Sequence, residues 1–430
     1  MVTGKSTPHI AFLGAALFFE ACTGSDRPAA APGPDRVALY AAVGTDLTHY
    51  TVDVENTVLA KKNSVPCPAS IQYAWPHPTH KYLYVAWSDG GPSGAAGAPT
   101  GGARHGVSAF RIDAASGDLH PHGADLPLVS RPVHVTTDIG GDHLLVAHTI
   151  PSALTVYRIH GDGTLGPEVK QQAALDAGVY AHQVRVDPSN KQVILVTRGN
   201  GPTAEKKEDP GALKVFAYDN REGQLRNLAS IAPGGGFGFQ PRHLDFHPSQ
   251  PWVFVSVERQ NQLHMYRKTP DGGLEPAPLF NKSSLPEGFQ ANSGQAASTV
   301  HVHPNGRFVY QGNRASGTEV QDGKRVFAGG ENAIAVYAID GNSGEPTLIQ
   351  NADTHGFSPR TFALDPSARL LVAANQVPML VRRGAQLETI PASLALFRVD
   401  ADGKLTFTRK YDMETTDARS LFWMGIVQLP

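Results

Sequence analysis

The chain has 430 residues, of which 41% are hydrophobic, and its formal net charge is −2 at pH 7. A chain of this length can bury a large core, and its near-neutral charge creates no global field for nucleic acid, so we expect a small neutral or anionic partner and no nucleic acid. The 44 glycines and 33 prolines are spread along the whole length, which favours many short strands joined by turns and predicts an all-β fold.

The first 35 residues differ in character from the rest of the chain. In residues 1–22, Lys5 precedes an apolar run from Ile10 to Phe19 that is too short to span a bilayer, as in a signal peptide. Residues 23–35 are rich in alanine and proline and are predicted to form a flexible tether. We therefore expect export to the periplasm, either as a free protein or as a membrane-anchored lipoprotein with its lipid anchor at Cys22. The alternative is a wrongly assigned start codon before a disordered tail, which makes the protein cytoplasmic.

One pattern recurs along the chain: a short alternating strand, a polar turn that often contains Asp-Pro or His-Pro, and an apolar strand rich in Val, Leu and Tyr. The turn prolines follow one another at intervals of roughly 60 residues, long enough for four strands and their loops, which is typical of a β-propeller blade. Six copies are visible, at residues 71–87, 133–148, 182–198, 242–258, 299–314 and 360–375.

The two ends of the chain supply a seventh unit. Residues 37–53 resemble the outer strands of a blade that lacks its first strand, and residues 418–430 resemble a first strand with nothing after it. Pairing them closes the ring and removes open sheet edges. The prediction is an all-β, seven-bladed β-propeller over residues 36–430, closed by pairing of the N- and C-terminal strands.

One rim of the predicted disc carries the long loops. In each blade the first two strands, A and B, are antiparallel, so the start of A and the end of B lie on the same rim. The connections from B to the third strand, C, leave from that rim, and the long ones are residues 88–106, 199–211, 315–331 and 376–391. Long loops on one rim of a rigid scaffold indicate the functional face.

Six ionisable residues interrupt the repeat on that rim, three at the ends of B strands and three at the starts of A strands. They are Arg198, Glu258 and Arg314, then His182, Arg242 and Arg360. Guanidinium groups bind carboxylate or phosphate in bidentate fashion, and a carboxylate among them stays ionised. The set predicts a site for a small anion at the mouth of the channel. Ion pairs that lock neighbouring blades together are the structural alternative for each residue.

The stretch FQPRHLDFHPSQPWVFVSVERQNQLHMYRKTPDGGL, residues 239–274, resembles the seven-bladed lactonase-like family, which includes bacterial 6-phosphogluconolactonases and fungal carboxy-cis,cis-muconate cyclases. Further stretches match in order, and the resemblance extends from about Val37 to the C-terminus. Arg198 and its neighbours, followed by the charged insertion 204–209, stand where many members carry an aspartate-containing loop, which leaves the substrate open. The resemblance implies the catalytic residues His182, Arg242, Glu258 and Arg314, to which we add Arg198, His243, Arg360 and Asn375 as substrate-binding residues.

The function implied by the resemblance is the opening of a sugar lactone, such as 6-phosphogluconolactone, with water. Arg242 and Arg314 are expected to hold the substrate anion or the developing oxyanion, and Glu258 or His182 to position or deprotonate the water. Two alternatives stay open: a cycloisomerase of the muconate cyclase type, and a propeller that binds a ligand or a protein without catalysis. The expected partner is a small anionic lactone or carboxylate, and the expected state is a monomer without a cofactor.

A metal site is not predicted. His301 and His303 alternate on one strand, but His303 occupies the turn position that His or Asp fills in other copies, as in His247 and Asp365. Polar side chains at that position bond the turn backbone, so we interpret His303 as a turn-capping residue and not as a metal ligand.

Overall fold

The computed structural model describes Met1 and residues 36–91, 102–292, 294–416 and 419–430. Apart from Met1, the predicted signal peptide and tether lie outside the described residues, as does part of the 88–106 connection. Within these ranges no helix is long and apolar enough to cross a membrane. The helical structure described there is one 3₁₀ turn, Pro233–Gly236.

Seven antiparallel sheets form the blades, which confirms the predicted seven-bladed propeller. Each has strands A to D from the inside outward. The chain begins with B, C and D of blade seven: β1 (Val37–Val43), β2 (Asp46–Asp53) and β3 (Val58–Pro66). Blade one holds β4 (Ser70–Pro76), β5 (Tyr82–Ser88), β6 (His105–Ile112) and β7 (Leu119–Pro121), with β8 (Leu126–Leu128) also paired to β6. Blade two holds β9 (Arg131–Thr137), β10 (His143–Ile150), β11 (Ser152–Ile159) and β12 (Leu165–Glu168).

The next two blades follow the same order. Blade three holds β13 (Ala181–Val186), β14 (Gln192–Thr197), β15 (Ala212–Asp219) and β16 (Gln224–Ile231). Blade four holds β17 (Pro241–Phe246), β18 (Trp252–Val257), β19 (Gln262–Arg267) and β20 (Phe280–Ser283).

The last two complete blades each contain an inserted hairpin between B and C. Blade five holds β21 (Gln295–Val302), β22 (Phe308–Ala315), the hairpin β23 (Thr318–Gln321) and β24 (Lys324–Phe327), then β25 (Ala333–Ile339) and β26 (Pro346–Asp353). Blade six holds β27 (Pro359–Leu364), β28 (Leu370–Asn375), the hairpin β29 (Met379–Arg383) and β30 (Gln386–Ile390), then β31 (Ser393–Val399) and β32 (Leu405–Asp412). Strand A of blade seven is β33 (Leu421–Gln428).

Strand β33 closes the ring as predicted. It pairs antiparallel with β1, from Val37 opposite Gln428 to Val43 opposite Leu421. The hydrophobic core lies between the faces of neighbouring blades; for example, Trp252 and Phe254 of blade four pack in one cluster with Val300 of blade five. Consecutive inner strands contact one another around the whole ring, from β4 through β27 to β33 and back to β4. The blades therefore hold the starts of seven A strands around one channel mouth.

The A-to-B turns on the opposite rim are capped by side chains. Nδ1 of His303 accepts a hydrogen bond from the backbone N–H of Asn305 at 3.1 Å. Nδ1 of His247 and Oδ2 of Asp365 accept equivalent bonds from the backbone N–H groups of Ser249 and Ser367, at 3.2 and 2.9 Å. The predicted turn-capping role of His303 is confirmed.

Two of the long connections each contain a hairpin, which the sequence pattern did not predict. The first turns at Asp322-Gly323, where both residues have positive φ, as a two-residue hairpin turn requires. The second turns at Gly384, which also has positive φ. Arg382 of the second hairpin contacts Asp322 of the first at 3.1 Å, so the hairpins lie together on the rim that carries the long connections.

Candidate functional site

A β-bulge lies near the start of each inner strand. In blade four Pro241 is opposite Val257 and His243 is opposite Ser256, which leaves Arg242 as the extra residue. A bulge re-aims its extra side chain and is common beside active sites. The corresponding extra residues in blades seven, one, three and six are Phe422, Gln72, His182 and Arg360. The bulges therefore bring these side chains to the same level of the channel mouth.

Glu258 is the centre of an ion cluster that joins three blades. It directly follows β18 and is only 5% exposed. Its Oε2 accepts a bond from Nη1 of Arg198 at 3.2 Å, its Oε1 contacts Nη2 of Arg314, and Nε of Arg242 lies 3.7 Å from Oε1. Burial alone would raise the pKa of Glu258, but the three guanidinium groups outweigh it and lower the pKa to about 2. Glu258 is therefore a carboxylate at neutral pH.

Arg242 has more donors than this cluster uses. It is 1% exposed, and its Nε and Nη1 atoms make no hydrogen bond within the described structure. Burial, together with the positive charge of Arg314, lowers the pKa of Arg242 to about 9. If these ion pairs served only to hold neighbouring blades together, we would expect every buried donor to have a hydrogen-bond partner, because a buried donor without one destabilises the fold. Arg242 thus has two buried donor atoms that no described residue satisfies.

His182 is a neutral imidazole beside this cluster. It is buried, its Nδ1 has no partner among the described residues, and its ring centroid lies 5.2 Å from that of His243. Burial and the nearby charge of Arg242 hold the pKa of His182 well below its ordinary value. Tyr180, two residues earlier, has φ of 57°, a strained conformation for a bulky residue that is typical of functional sites. His182 therefore keeps a free lone pair at neutral pH.

The channel below the mouth is lined by further polar rings. His134 is fully buried with neither ring nitrogen bonded, and its centroid is 4.0 Å from that of Tyr73 and 6.1 Å from that of His243. Deeper still, Arg185 pairs with Asp245 at 3.0 Å. Predicted residue His243 thus belongs to the floor of the site.

The other predicted substrate-binding residues are in different positions. Arg198 is held by Glu258 and lies 4.1 Å above the ring of Tyr180. Arg360 lies 4.0 Å above the ring of Phe422. Asn375 is outside the cluster, because its amide donates to the Thr354 carbonyl at 2.8 Å and bonds a serine hydroxyl of β31, which is a structural role.

Several residues at the mouth or in the channel below it were not predicted from the sequence. They include Arg131, which begins β9 and is 2% exposed, and the ring residues Tyr73, His134 and Tyr180. His134 and Tyr73 could have been found from the alternation of their strands, since they occupy inward positions. Arg131 stands just before the second copy of the repeat, and nothing in the pattern assigned it to a strand.

The ion cluster predicts a specific dependence of stability on pH. The pKa of Glu258 is about 2 in the folded protein and near 4.5 in the unfolded chain. The ionised carboxylate therefore stabilises the fold fully above about pH 4.5, and this stabilisation is lost as the pH falls toward 2. The shift corresponds to about 3 kcal/mol. The melting temperatures of the wild type and Glu258→Gln should therefore differ at pH 6 and converge as the pH falls to about 2. A difference that stays constant over this range would contradict the cluster.

Comparisons with known proteins identify the relatives of this chain. The family model for the lactonase seven-bladed β-propeller matches residues 37–383. The 6-phosphogluconolactonase of Bacillus subtilis strain 168 is 29% identical over 63% of this chain and 70% of its own length. That of Serratia proteamaculans strain 568 is 24% identical over 85% of this chain and 90% of its own length.

Solved structures share the fold. A periplasmic gluconolactonase from Pseudomonas aeruginosa superposes with a TM-score of 0.67 at 19% identity, covering 92% of this chain and 100% of its own. A Lactobacillus plantarum protein gives 0.66 at 20% identity, covering 91% and 98%. Because the family model matches well over half of the chain, the protein belongs to the seven-bladed β-propeller lactonase family.

Proposed function

We propose that this protein is a lactone hydrolase that opens a sugar lactone with water, as the relatives named 6-phosphogluconolactonase do. The observation that carries the proposal is the pair of unused donors on buried Arg242, placed beside the Glu258 carboxylate. Such donors in a poorly hydrated site stabilise negative charge that develops on a carbonyl oxygen. The free lone pair of His182 lies on the neighbouring blade.

Lactone opening requires four changes at the substrate. The water oxygen forms a bond to the carbonyl carbon, the carbonyl oxygen becomes an oxyanion, the ring C–O bond breaks, and the ring oxygen takes up a proton. The products are a carboxylate, a hydroxyl group and one released proton. Arg242 binds the oxyanion.

The two candidate bases differ in what they can do. A carboxylate whose pKa is about 2 is a weak base at neutral pH, so Glu258 holds the arginines in place and orients the water. His182 accepts the proton from the water. A bound anionic substrate offsets the positive charge around His182 and raises its proton affinity for that step.

The cycloisomerase alternative needs a proton donor instead of an activated water. Glu258 is ionised and His182 is neutral at pH 7, so neither is a ready acid. Hydrolysis is therefore favoured over cyclisation.

Proton release from 6-phosphogluconolactone, measured against the spontaneous rate, tests the hydrolase proposal. Enzyme-dependent release supports a hydrolase, ultraviolet changes with a carboxymuconate support a cyclase, and activity in neither assay supports a binding protein.

We also propose that the protein is exported and acts as a monomer. Lys5 and the short apolar run before Cys22 support export. In the lipoprotein form, a lipid attached to Cys22 would anchor the exported protein to a membrane. Expression in a Gram-negative host should give a processed chain that begins near Cys22, identified by mass spectrometry. Intact Met1 in the cytoplasmic fraction would contradict export, and light scattering checks the monomer.

A further inference from the structure

Three buried histidines in the channel have ring nitrogens without a hydrogen-bond partner among the described residues. The atoms are Nδ1 of His182, Nδ1 of His243 and both ring nitrogens of His134. All three side chains are 5% exposed or less. The fold accepts other residues there, since blade six carries Thr361 at the position equivalent to His243. Because buried polar atoms without partners destabilise a protein, these imidazoles are candidates for a role in the chemistry above them.

His182 and His243 are close enough to exchange a proton. Their ring centroids are 5.2 Å apart, on the adjacent blades three and four. Ring nitrogens at this spacing can be joined by a direct hydrogen bond or by one bridging water molecule. A neutral imidazole has one acceptor and one donor nitrogen, so it takes up a proton at one and releases another from the other.

The charges at the mouth favour movement of a proton away from it. Glu258 is one carboxylate among the several guanidinium groups that surround it. Burial, and after it the charge of Arg242, holds the pKa of both His182 and His243 well below the ordinary value. A proton that His182 takes up is therefore unstable beside the arginines and moves toward negative charge.

The nearest negative charge deeper in the channel is Asp245. It follows His243 by two residues on β17, so the two side chains lie on the same face of the strand, roughly 7 Å apart along it. Oδ1 of Asp245 pairs with Nη2 of Arg185 at 3.0 Å, whereas Oδ2 lies 3.7 Å from Nδ1 of His301. Burial alone would raise the pKa of Asp245, but Arg185 and His301 outweigh it and lower the pKa to about 2. Asp245 is therefore a counter-ion for a proton at His301.

His301 connects this layer to solvent. Its side chain is 29% exposed, and β21 ends one residue later, at Val302, before the turn that His303 caps on the opposite rim. His243 and His301 are close enough to influence each other electrostatically. The path from His182 through His243 to His301 thus runs from the mouth to the other end of the channel.

The remaining ionisable groups around this path do not offer a better one. Burial raises the pKa of Tyr73 to about 12, so its hydroxyl keeps its proton. Burial and the charge of Arg185 hold the pKa of His134 well below its ordinary value, so a proton on His243 moves to the Asp245 side instead. The other groups facing the two upper histidines are Arg198, Arg360 and Tyr180.

We propose that His243 and His301, with Asp245 as counter-ion, carry the proton released in lactone opening from His182 through the channel to the opposite rim. The inference rests on the proposed hydrolase function and adds the exit of its proton. His182 first passes the proton of the attacking water to the ring oxygen. It then takes the proton of the product carboxylic acid, so one O–H bond breaks and one N–H bond forms. His243 and His301 pass that proton on to solvent water, and all three imidazoles return to the neutral form.

The test is the dependence of turnover on buffer concentration at constant pH. In dilute buffer, His243→Gln and His301→Gln should lower kcat for 6-phosphogluconolactone by about 10- to 100-fold, at most the contribution of a general base. Added imidazole should restore most of the rate, because it accepts the proton from His182 at the mouth. The kcat of the wild type should not depend on the buffer. His120→Gln, exposed on β7, is the matched control and should behave like the wild type.

Loss of the lactone is followed directly, and the spontaneous and buffer-catalysed rates are subtracted. His301→Gln is the decisive variant, because its side chain is partly exposed and lies away from the substrate, so KM and the melting temperature should change little. A loss of kcat that imidazole does not restore is the result expected of histidines that only shape the channel, and it would overturn the inference. Unchanged kcat of both variants in dilute buffer would overturn it as well.

Failure of this inference is distinguishable from failure of the proposed function. If the wild type opens no lactone, the hydrolase proposal fails and the relay fails with it. If the wild type opens the lactone and neither variant shows a loss that imidazole restores, only the relay fails.

Discussion

Glu258→Gln is expected to lower kcat/KM for the lactone by about 100-fold or more and to destabilise the fold by about 3–5 kcal/mol. Removing the only carboxylate of the cluster leaves three arginines facing one another, one of them fully buried. Their repulsion displaces Arg242 from the oxyanion position. Steady-state kinetics and denaturant unfolding measure the two effects on the same preparations.

A matched control is available on the surface. Glu345 pairs with Lys282, and both side chains are about one-third or more exposed. Glu345→Gln should therefore change stability by about 1 kcal/mol or less and leave turnover unchanged. Full activity of Glu258→Gln would remove Glu258 from the mechanism and leave His182 as the remaining candidate. Wild-type stability of that variant would mean that the cluster adds nothing to the fold.

Deletion of residues 421–430 is expected to abolish cooperative folding. The deletion removes β33 and with it several large buried side chains, among them Leu421, Trp423 and Val427. Burial of such side chains contributes about 2 kcal/mol each, so the total is comparable to the whole stability of a domain. It also exposes the edge of β1 and opens the ring. Circular dichroism during thermal unfolding measures the loss of the transition.

The control for the truncation removes Pro430 alone, which is exposed and follows β33. That variant should unfold like the full-length protein. A protein without residues 421–430 that still unfolds cooperatively near the wild-type temperature would show that the other six blades are stable without closure.

The architecture was predictable because its signals are local. The turn prolines and the capping residues, such as His303, mark each blade within a few positions, and the unmatched ends required pairing to close the ring. The ionisable residues at the ends of A and B strands were predictable for the same reason, since antiparallel pairing puts those ends on one rim. All six of those residues lie at the mouth.

The rest depends on contacts between distant segments. The bulge that makes Arg242 the extra residue is set by pairing with Val257, and no local pattern reveals it. Arg131 lies outside the repeat, and its position at the mouth is recognised only once the fold brings Gln72 beside it. The sequence pattern places Asn375 on the same rim as the cluster. In the structure its side chain instead donates a hydrogen bond to the backbone carbonyl of Thr354, between two blades.

Hydrolysis at the Glu258–Arg242 cluster is tested most directly by opening 6-phosphogluconolactone in water labelled with oxygen-18. Acyl attack by water places one labelled oxygen in the product carboxylate, and the enzyme should accelerate that incorporation above the spontaneous rate, with Glu258→Gln losing about 100-fold of the acceleration. Enzyme-dependent loss of the lactone without label in the product, or labelling by Glu258→Gln at the wild-type rate, would contradict the mechanism.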